Sequence, residues 1–250
     1  MILLLVFFVS PAFAESPFRD PVDFLRKHIM DFSAGPGYIG NENIRVHSEK
    51  SSQKYSAKHG FFPLYDFRIG PVNISNIFSQ SNFTKGKGLR IGLLFNYTGD
   101  PYESLGLAGR RNSLFGGGFI GYNRLTFYEY TDLLKRKAGS IYALRFAPVL
   151  FKISGNEFFL VLELEHMNRM YVDYYFGIRR YEATPILTAY EGKRTNNISG
   201  TLHYIYHISK NAEFLLWGGQ KRYGTGVTNS PTVGMKNAYQ AGIGWMFKII

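Results

Sequence analysis

Apolar and polar residues alternate with a period of two over much of the chain, the pattern of half-buried β-strands. In residues 157–166, Phe158, Leu160, Leu162 and Leu164 fall on one face and Glu157, Glu163 and Glu165 on the other. Residues 198–208 repeat the pattern, with Ile198, Leu202, Tyr204, Tyr206 and Ile208 opposite Ser199, Thr201, His203 and His207. Residues 89–97 set Leu89, Ile91, Leu93, Phe95 and Tyr97 against Arg90, Gly92 and Asn96, and residues 142–150 alternate around Arg145. The last segment places Tyr239, Ala241, Ile243, Trp245, Phe247 and Ile249 opposite Gln240, Gly242, Gly244 and Lys248.

A soluble β-sandwich would also alternate, so other features must separate it from a membrane barrel. The apolar faces carry tyrosines at strand ends, as an aromatic girdle requires. The opposite faces hold Arg90, Arg145, Glu163, Glu165, His203 and Lys248, which suits a polar lumen. The chain ends inside its last amphipathic strand, as a barrel does when that strand closes the ring and leaves no unpaired edge in lipid. The expected fold is all-β, a closed antiparallel transmembrane β-barrel. Strands are read near 31–39, 62–70, 72–79, 88–98, 114–122, 124–133, 139–153, 156–166, 196–208, 211–223 and 237–249. Because such barrels have even counts, ten to twelve strands are expected, with twelve favoured. Tight turns are expected at Gly70-Pro71, Lys85-Gly86-Lys87-Gly88, Gly121-Tyr122-Asn123, Ser154-Gly155-Asn156 and Ser209-Lys210-Asn211.

Residues 1–14 (MILLLVFFVSPAFA) form an apolar run closing on Ala12-Phe13-Ala14, the small-x-small pattern of a cleaved signal peptide. The run is shorter than the ~20 residues a spanning helix needs. It leaves 15–250 as a single outer-membrane barrel domain. Composition agrees: 18 Tyr and 22 Phe accompany 27 Gly in a chain of 250 residues. The absence of cysteine excludes disulfides, thiolate metal sites and a cysteine nucleophile. A formal charge of +11 invites a nucleic-acid reading. An exported chain without a basic helix or stacking module argues against it. Basic loops at Arg179-Arg180, Lys193-Arg194, Lys135-Arg136-Lys137 and Lys221-Arg222 would instead meet lipopolysaccharide phosphates or anionic wall polymers.

Several candidate chemistries are weaker than they look. Residues 35–40 match G-x-G-x-x-G, but no helix pattern follows, so glycines within a strand are expected and no cofactor. His203 and His207 share a strand face ~13 Å apart, too far for one metal ion. His207 and Ser209 also share a face, as a deacylase nucleophile pair would, with Glu163 or Glu165 as an orienting carboxylate. Glu163 and Glu165 lie ~7 Å apart along the strand, within the range of an inverting glycosidase. Inward carboxylates that balance Arg90 and Arg145 in a filled lumen are the plainer expectation. The sequons at Asn73, Asn82, Asn96 and Asn197 carry no meaning in a bacterial chain.

Residues 171–190 (YVDYYFGIRRYEATPILTAY) precede a strand pair, then residues 226–233 (GVTNSPTV), then the closing strand. This order resembles the MipA/OmpV family (MltA-interacting protein) of outer-membrane barrels. Asp173, Tyr175, Phe176, Gly177, Ile178, Glu182 and Ala183 match its D-x-Y-F-G-V-x-x-x-E-A loop. Asn229, Ser230, Pro231 and Val233 match its N/D-S-P-I-V loop, with Thr232 where the family has Ile. Pro63-Leu64-Tyr65-Asp66-Phe67-Arg68 resembles its P-L-x-D-Y-R strand, and Leu105-Gly106-Leu107 its L-x-G-L segment. The resemblance implies a non-enzymatic scaffold in the outer membrane of a Gram-negative bacterium, holding a lytic transglycosylase and a bifunctional penicillin-binding protein. Alternatives are a surface adhesin or antigen, or a lipid A deacylase-type barrel. It also implies that Asp173, Tyr175, Phe176, Gly177, Glu182, Asn229, Ser230 and Pro231 form interaction loops. In these, Gly177 and Pro231 fix turns, and Tyr175 and Phe176 pack or present a contact.

Overall fold

Alternation folds the chain into a sheet of twelve strands. They are β1 (Asp31–Asn41), β2 (Lys58–Ile69), β3 (Val72–Ser75), β4 (Leu89–Thr98), β5 (Ser113–Tyr122) and β6 (Leu125–Asp132). They continue with β7 (Ser140–Phe146), β8 (Val149–Ile153), β9 (Asn156–Met167), β10 (Thr195–Ser209), β11 (Ala212–Arg222) and β12 (Asn237–Lys248). The computed structural model describes residues 31–46, 58–69, 72–75, 88–100, 107–136 and 138–249. The leader 1–14, the turns at Gly70-Pro71 and Lys85-Gly86-Lys87, Asn82, Leu105-Gly106 and Lys137 lie outside these residues.

Each neighbour in the order β3-β2-β1-β12-β11-β10-β9-β7-β6-β5-β4 pairs antiparallel, and β8 also pairs with β9. The first and last strands meet through β1 and β12, with Gly37 opposite Gly244. The two ends of the order, β3 and β4, lie side by side. An even number of antiparallel steps separates them, so they run in the same direction. The segment read as one strand at 139–153 divides into β7 and β8, both lying along β9. Pro148 explains the break: it has no N–H for the ladder, and its carbonyl accepts Leu160 N at 3.1 Å.

The outer face is apolar in registered rows. Ile91, Ile120, Phe127, Leu144, Leu164 and Ile198 follow one another across β4, β5, β6, β7, β9 and β10, and all are exposed. A second row runs through Phe151, Phe158, Tyr204, Leu216, Ile243, Tyr38 and Phe61. Its rings stack, Phe151 on Phe158 and Phe158 on Tyr204, each at 4.4 Å. Soluble monomers rarely leave such extended rows in water; a transmembrane barrel sets them in lipid under an aromatic girdle. Among the described residues no helix is long and apolar enough to cross a membrane. The strands do the crossing.

Facing inward, the barrel is filled in layers. Leu64, Ala147, Phe159, Val161, Ile205, Leu215 and Met246 form an apolar cluster with Phe62, Val149 and Trp217. Glycines make room for the largest of them: a Cβ on Gly242 would stand 2.2 Å from the Trp217 ring, and one on Gly244 2.3 Å from Leu64. The glycines of the G-x-G-x-x-G match lie within β1: Gly37 serves the same packing, a Cβ there standing 2.9 Å from Leu64, and Gly35 lets β12 come close, a Cβ there standing 1.9 Å from the Trp245 carbonyl. Beyond this cluster comes a charged layer. Arg145 Nε donates to Glu163 Oε2 at 2.7 Å, Tyr128 Oη donates to the same oxygen at 2.6 Å, and Lys221 Nζ contacts Glu165 Oε1 at 2.7 Å.

The ends of the barrel differ. Short turns at 123–124, 154–155 and 210–211 cluster at one end. Ser154 and Gly155 have φ of 49° and 83°, the paired left-handed residues of a type I′ hairpin. The described parts of the long connections, 42–46, 99–100, 107–112, 133–136, 138–139, 168–194 and 223–236, gather at the other.

Candidate functional site

The long-loop end is capped by the two loops that carry the family motifs. Asn168 starts α1 (Arg169–Phe176), its side chain accepting Tyr171 N at 2.8 Å. Tyr171, Val172, Tyr175 and Phe176 lie on the buried face of this helix, joining Ile44, Phe115, Ile141, Met167 and Val227 in an apolar cluster above the charged layer. Gly177 ends the helix with ordinary extended dihedrals. It is required by close approach, since a Cβ would stand 2.3 Å from the Asp173 carbonyl. Asp173 Oδ1 accepts Gly192 N at 2.8 Å, and Ile178 pairs with Tyr190, so the two limbs of the loop close on each other.

Glu182 is the electrostatic centre of the cap. It is 2% exposed, at the end of a single 3-10 turn (Arg180–Glu182). Arg110 grips it with both terminal nitrogens, Nη1 to Oε1 at 3.0 Å and Nη2 to Oε2 at 2.9 Å. Ala108 N donates to Oε1 at 3.0 Å and Arg179 N to Oε2 at 2.9 Å. Arg110 Nη2 also donates to Gly177 O at 3.0 Å. Burial pushes the carboxyl upward, but hydrogen bonds from the Arg110 guanidinium and from the Arg179 and Ala108 amides outweigh it, holding its pKa at about 2. Burial, with help from Tyr174 and Asp100, raises the Tyr175 hydroxyl, so it stays a neutral donor to Arg111 O at 3.3 Å.

The second loop follows α2 (Thr225–Thr228) and is locked onto the first. Ser230 Oγ donates to Phe176 O at 2.6 Å and meets Thr232 Oγ1 at 2.9 Å. Asn229 caps α2 through its N–H to Thr225 O at 3.1 Å, with its side chain exposed. Pro231 sits in the turn between Ser230 and Thr232, half-buried. Sequence reading missed Arg45, which joins the loops and is 3% exposed. Its Nη1 donates to Thr232 Oγ1 at 2.7 Å, its Nη2 to Tyr175 O at 2.9 Å, and its guanidinium lies 3.9 Å above the Phe176 ring. Thr232, where the family has Ile, is therefore the hydroxyl that receives Arg45. Arg110 was missed too; with Glu182 in the motif, a buried cation for it was the thing to look for.

Of the eight loop residues singled out from the sequence, Tyr175, Phe176, Gly177, Glu182 and Ser230 are buried, and only Asp173 and Asn229 are exposed. Tyr175 and Phe176 therefore pack.

The other candidates separate. His203 stacks on Phe159 at 4.9 Å inside the barrel, whereas His207 is exposed with Nδ1 3.2 Å from Glu213 Oε1. Among the described residues no group of three or more side chains could hold a metal ion. Ser209 Oγ accepts Asn211 N at 3.2 Å at the short-turn end. Glu163 and Glu165 are bound to Arg145 and Lys221, so the carboxylate beside His207 is Glu213. Lys221 faces inward and is not part of a basic loop; Arg90 reaches Asn123 O at 2.7 Å, leaving the inward carboxylates to Arg145 and Lys221. Asn197 is buried, with Nδ2 2.8 Å from Glu165 Oε1.

No curated protein matches the chain. A protein-family model described as "MltA-interacting protein MipA" matches residues 44–249, a span that begins beside Arg45 and runs through both cap loops and the closing strand. An outer-membrane β-barrel with this cap and this match over most of its length belongs to the MltA-interacting protein MipA family.

Proposed function

We propose that the chain is a non-enzymatic outer-membrane scaffold for murein enzymes, holding a lytic transglycosylase and a bifunctional penicillin-binding protein in a Gram-negative envelope. The observation that carries this reading is the filled lumen. A paired charged layer lies between the apolar cluster around Leu64 and Phe159 and the cap cluster around Phe115 and Phe176. A barrel packed in this way has its outer surfaces to offer, and partners are where such surfaces act. The family description names a murein enzyme as the interacting protein, which supports the choice of partner.

Short turns mark the periplasmic end of an outer-membrane barrel and long loops the outside. Wall enzymes then meet the turns at 123–124, 154–155 and 210–211, and the motif loops act by holding the cap together. A second reading, a surface adhesin or antigen, draws on Tyr181 and Ile186, which are 77% and 80% exposed on a loop tied down by Glu182 and Tyr190.

Photo-crosslinking side chains placed at Lys210, Arg124 and Ile186 in cells test the proposal. Capture of a murein hydrolase or synthase from Lys210 or Arg124, and not from Ile186, is the expected result. No wall enzyme captured at any position by a barrel with normal heat-modifiable gel mobility would overturn it.

A further inference from the structure

On the lipid side of the long-loop end, the barrel carries a concave polar site that the cap does not use. The row Leu164, Ile198, Arg222 crosses β9, β10 and β11 in register. One step nearer the loops, the same outward face changes from apolar to polar. His166 and Asn196 stand opposite each other, Nδ1 to Oδ1 at 2.7 Å, and Gly224 lies beside them, two residues past the end of β11 at the N-terminus of α2. Arg194, Thr195 and Thr225 complete a pocket with these three residues.

The pocket is built into the scaffold. A Cβ on Gly224 would stand 2.3 Å from Thr195 Oγ1 and 2.4 Å from the Asn196 carbonyl, so the glycine allows the chain to lie against β10. Its N–H is held by the buried Asn197 side chain at 3.0 Å. Arg194 and Arg222 are exposed, and among the described residues neither side chain has a partner. Four other cations of this end are engaged: Arg169 with Glu191, Arg179 with Tyr181, Arg136 with Asn112 O, and Lys221 with Glu165 inside the barrel. The carboxylate on the same outward level is Glu129, separated from His166 by Tyr142 on the intervening strand.

We propose that this pocket binds the phosphorylated headgroup of an outer-leaflet glycolipid of the lipid A type. Arg194 and Arg222 contact the phosphate, and the acyl chains lie along Leu162, Leu164, Ile198 and Leu202. Guanidinium groups match phosphate oxygens in geometry as well as charge. Arg222 ends the exposed Leu164–Ile198 row and Arg194 lies beyond it towards the loops, where a lipid changes from tail to headgroup. Because the long loops mark the outer side, the lipid is one of the outer leaflet. This inference is independent of the scaffold reading.

The test is native mass spectrometry of the folded, full-length barrel with bis-phosphorylated lipid A and with its dephosphorylated counterpart. The wild type is expected to retain the phosphorylated lipid preferentially. Arg194→Ala with Arg222→Ala is expected to weaken that retention about tenfold or more, as loss of two charge-assisted contacts implies. Arg111→Ala, which removes an exposed charge on the same rim outside the pocket and outside the basic loops, is expected to leave it unchanged. Equal binding of the two lipids, undiminished retention by the double variant, or an equal loss with Arg111→Ala would each overturn the proposal. Both variants alter exposed side chains, and heat-modifiable mobility verifies that they fold.

Discussion

Replacing Glu182 with Gln keeps the shape of the cap and removes its central charge. Arg110, 6% exposed, is then left with a buried cation whose remaining acceptors are carbonyls and a neutral amide. The interval between a pKa of about 2 and the ordinary 4.5 corresponds to about 3 kcal/mol. That agrees with the ~3–5 kcal/mol lost when one partner of a buried ion pair is removed. The sign follows from the direction: the carboxyl is depressed in the folded cap, so its stabilisation is complete above pH about 4.5 and is lost as pH falls towards about 2. The barrel strands make none of these bonds, so the effect should appear as local opening of residues 177–192. Trypsin, which can cut after the exposed Arg179, Arg180 and Lys193, reads that opening in the folded protein. About 3 kcal/mol predicts roughly a hundredfold faster cleavage for Glu182→Gln at neutral pH, provided opening is fast relative to cutting. Hydrogen exchange in the same residues, corrected for intrinsic rates, should rise in the wild type between pH 4.5 and 2 and stay flat in the variant. Cleavage at the wild-type rate, or the same pH dependence in both proteins, would refute the electrostatic account of the cap.

Three further outcomes follow from packing and register. Glu163→Gln leaves Arg145 without its carboxylate inside the barrel and should cost about 3–5 kcal/mol, read as a lower urea midpoint for refolding into detergent micelles. Leu144→Arg, in the middle of the lipid-facing row, should destabilise the bilayer-inserted barrel by about 2–4 kcal/mol, with less effect in a detergent that lets the side chain reach water. Gly177→Ala must move the end of α1 away from Asp173 O and should cost about 1–3 kcal/mol, seen as faster exchange in the cap with β9 and β10 unchanged.

The strands were legible because a strand needs only its own sequence to declare its two faces. Leu164 and Glu165 are neighbours in the chain, and the period of two sends the first to lipid and the second to the lumen. The same rule, carried through residues 212–222, would have placed Lys221 inward beside Trp217 and Gly219, removing it from the basic surface. What the period cannot supply is the partner. Glu163 takes Arg145 because β7 lies beside β9 in one register, and Glu165 takes Lys221 across β10, a pairing set by how the barrel curves. The division of 139–153 into β7 and β8 was signalled by Pro148, whose missing N–H was the local clue that the ladder would break there.

The cap was legible only as order along the chain, and its physics explains why. Its bonds join residues far apart in sequence: Arg45 to Thr232, Arg110 to Glu182, Ser230 to Phe176. A motif residue whose partner lies tens of residues away looks the same on paper whether it touches another protein or another loop. Burial separates the cases. Phe176 is 0% exposed and Ser230 2%, with the serine hydroxyl on the Phe176 carbonyl, so the two motifs are two halves of one internal contact. Replacing Tyr175 and Phe176 together would therefore remove the cap's core, and any partner lost with it could reflect a collapsed cap instead of a missing contact. An exposed position such as Ile186 or Lys210 keeps the core intact, so loss or gain of a partner there reports on the surface itself.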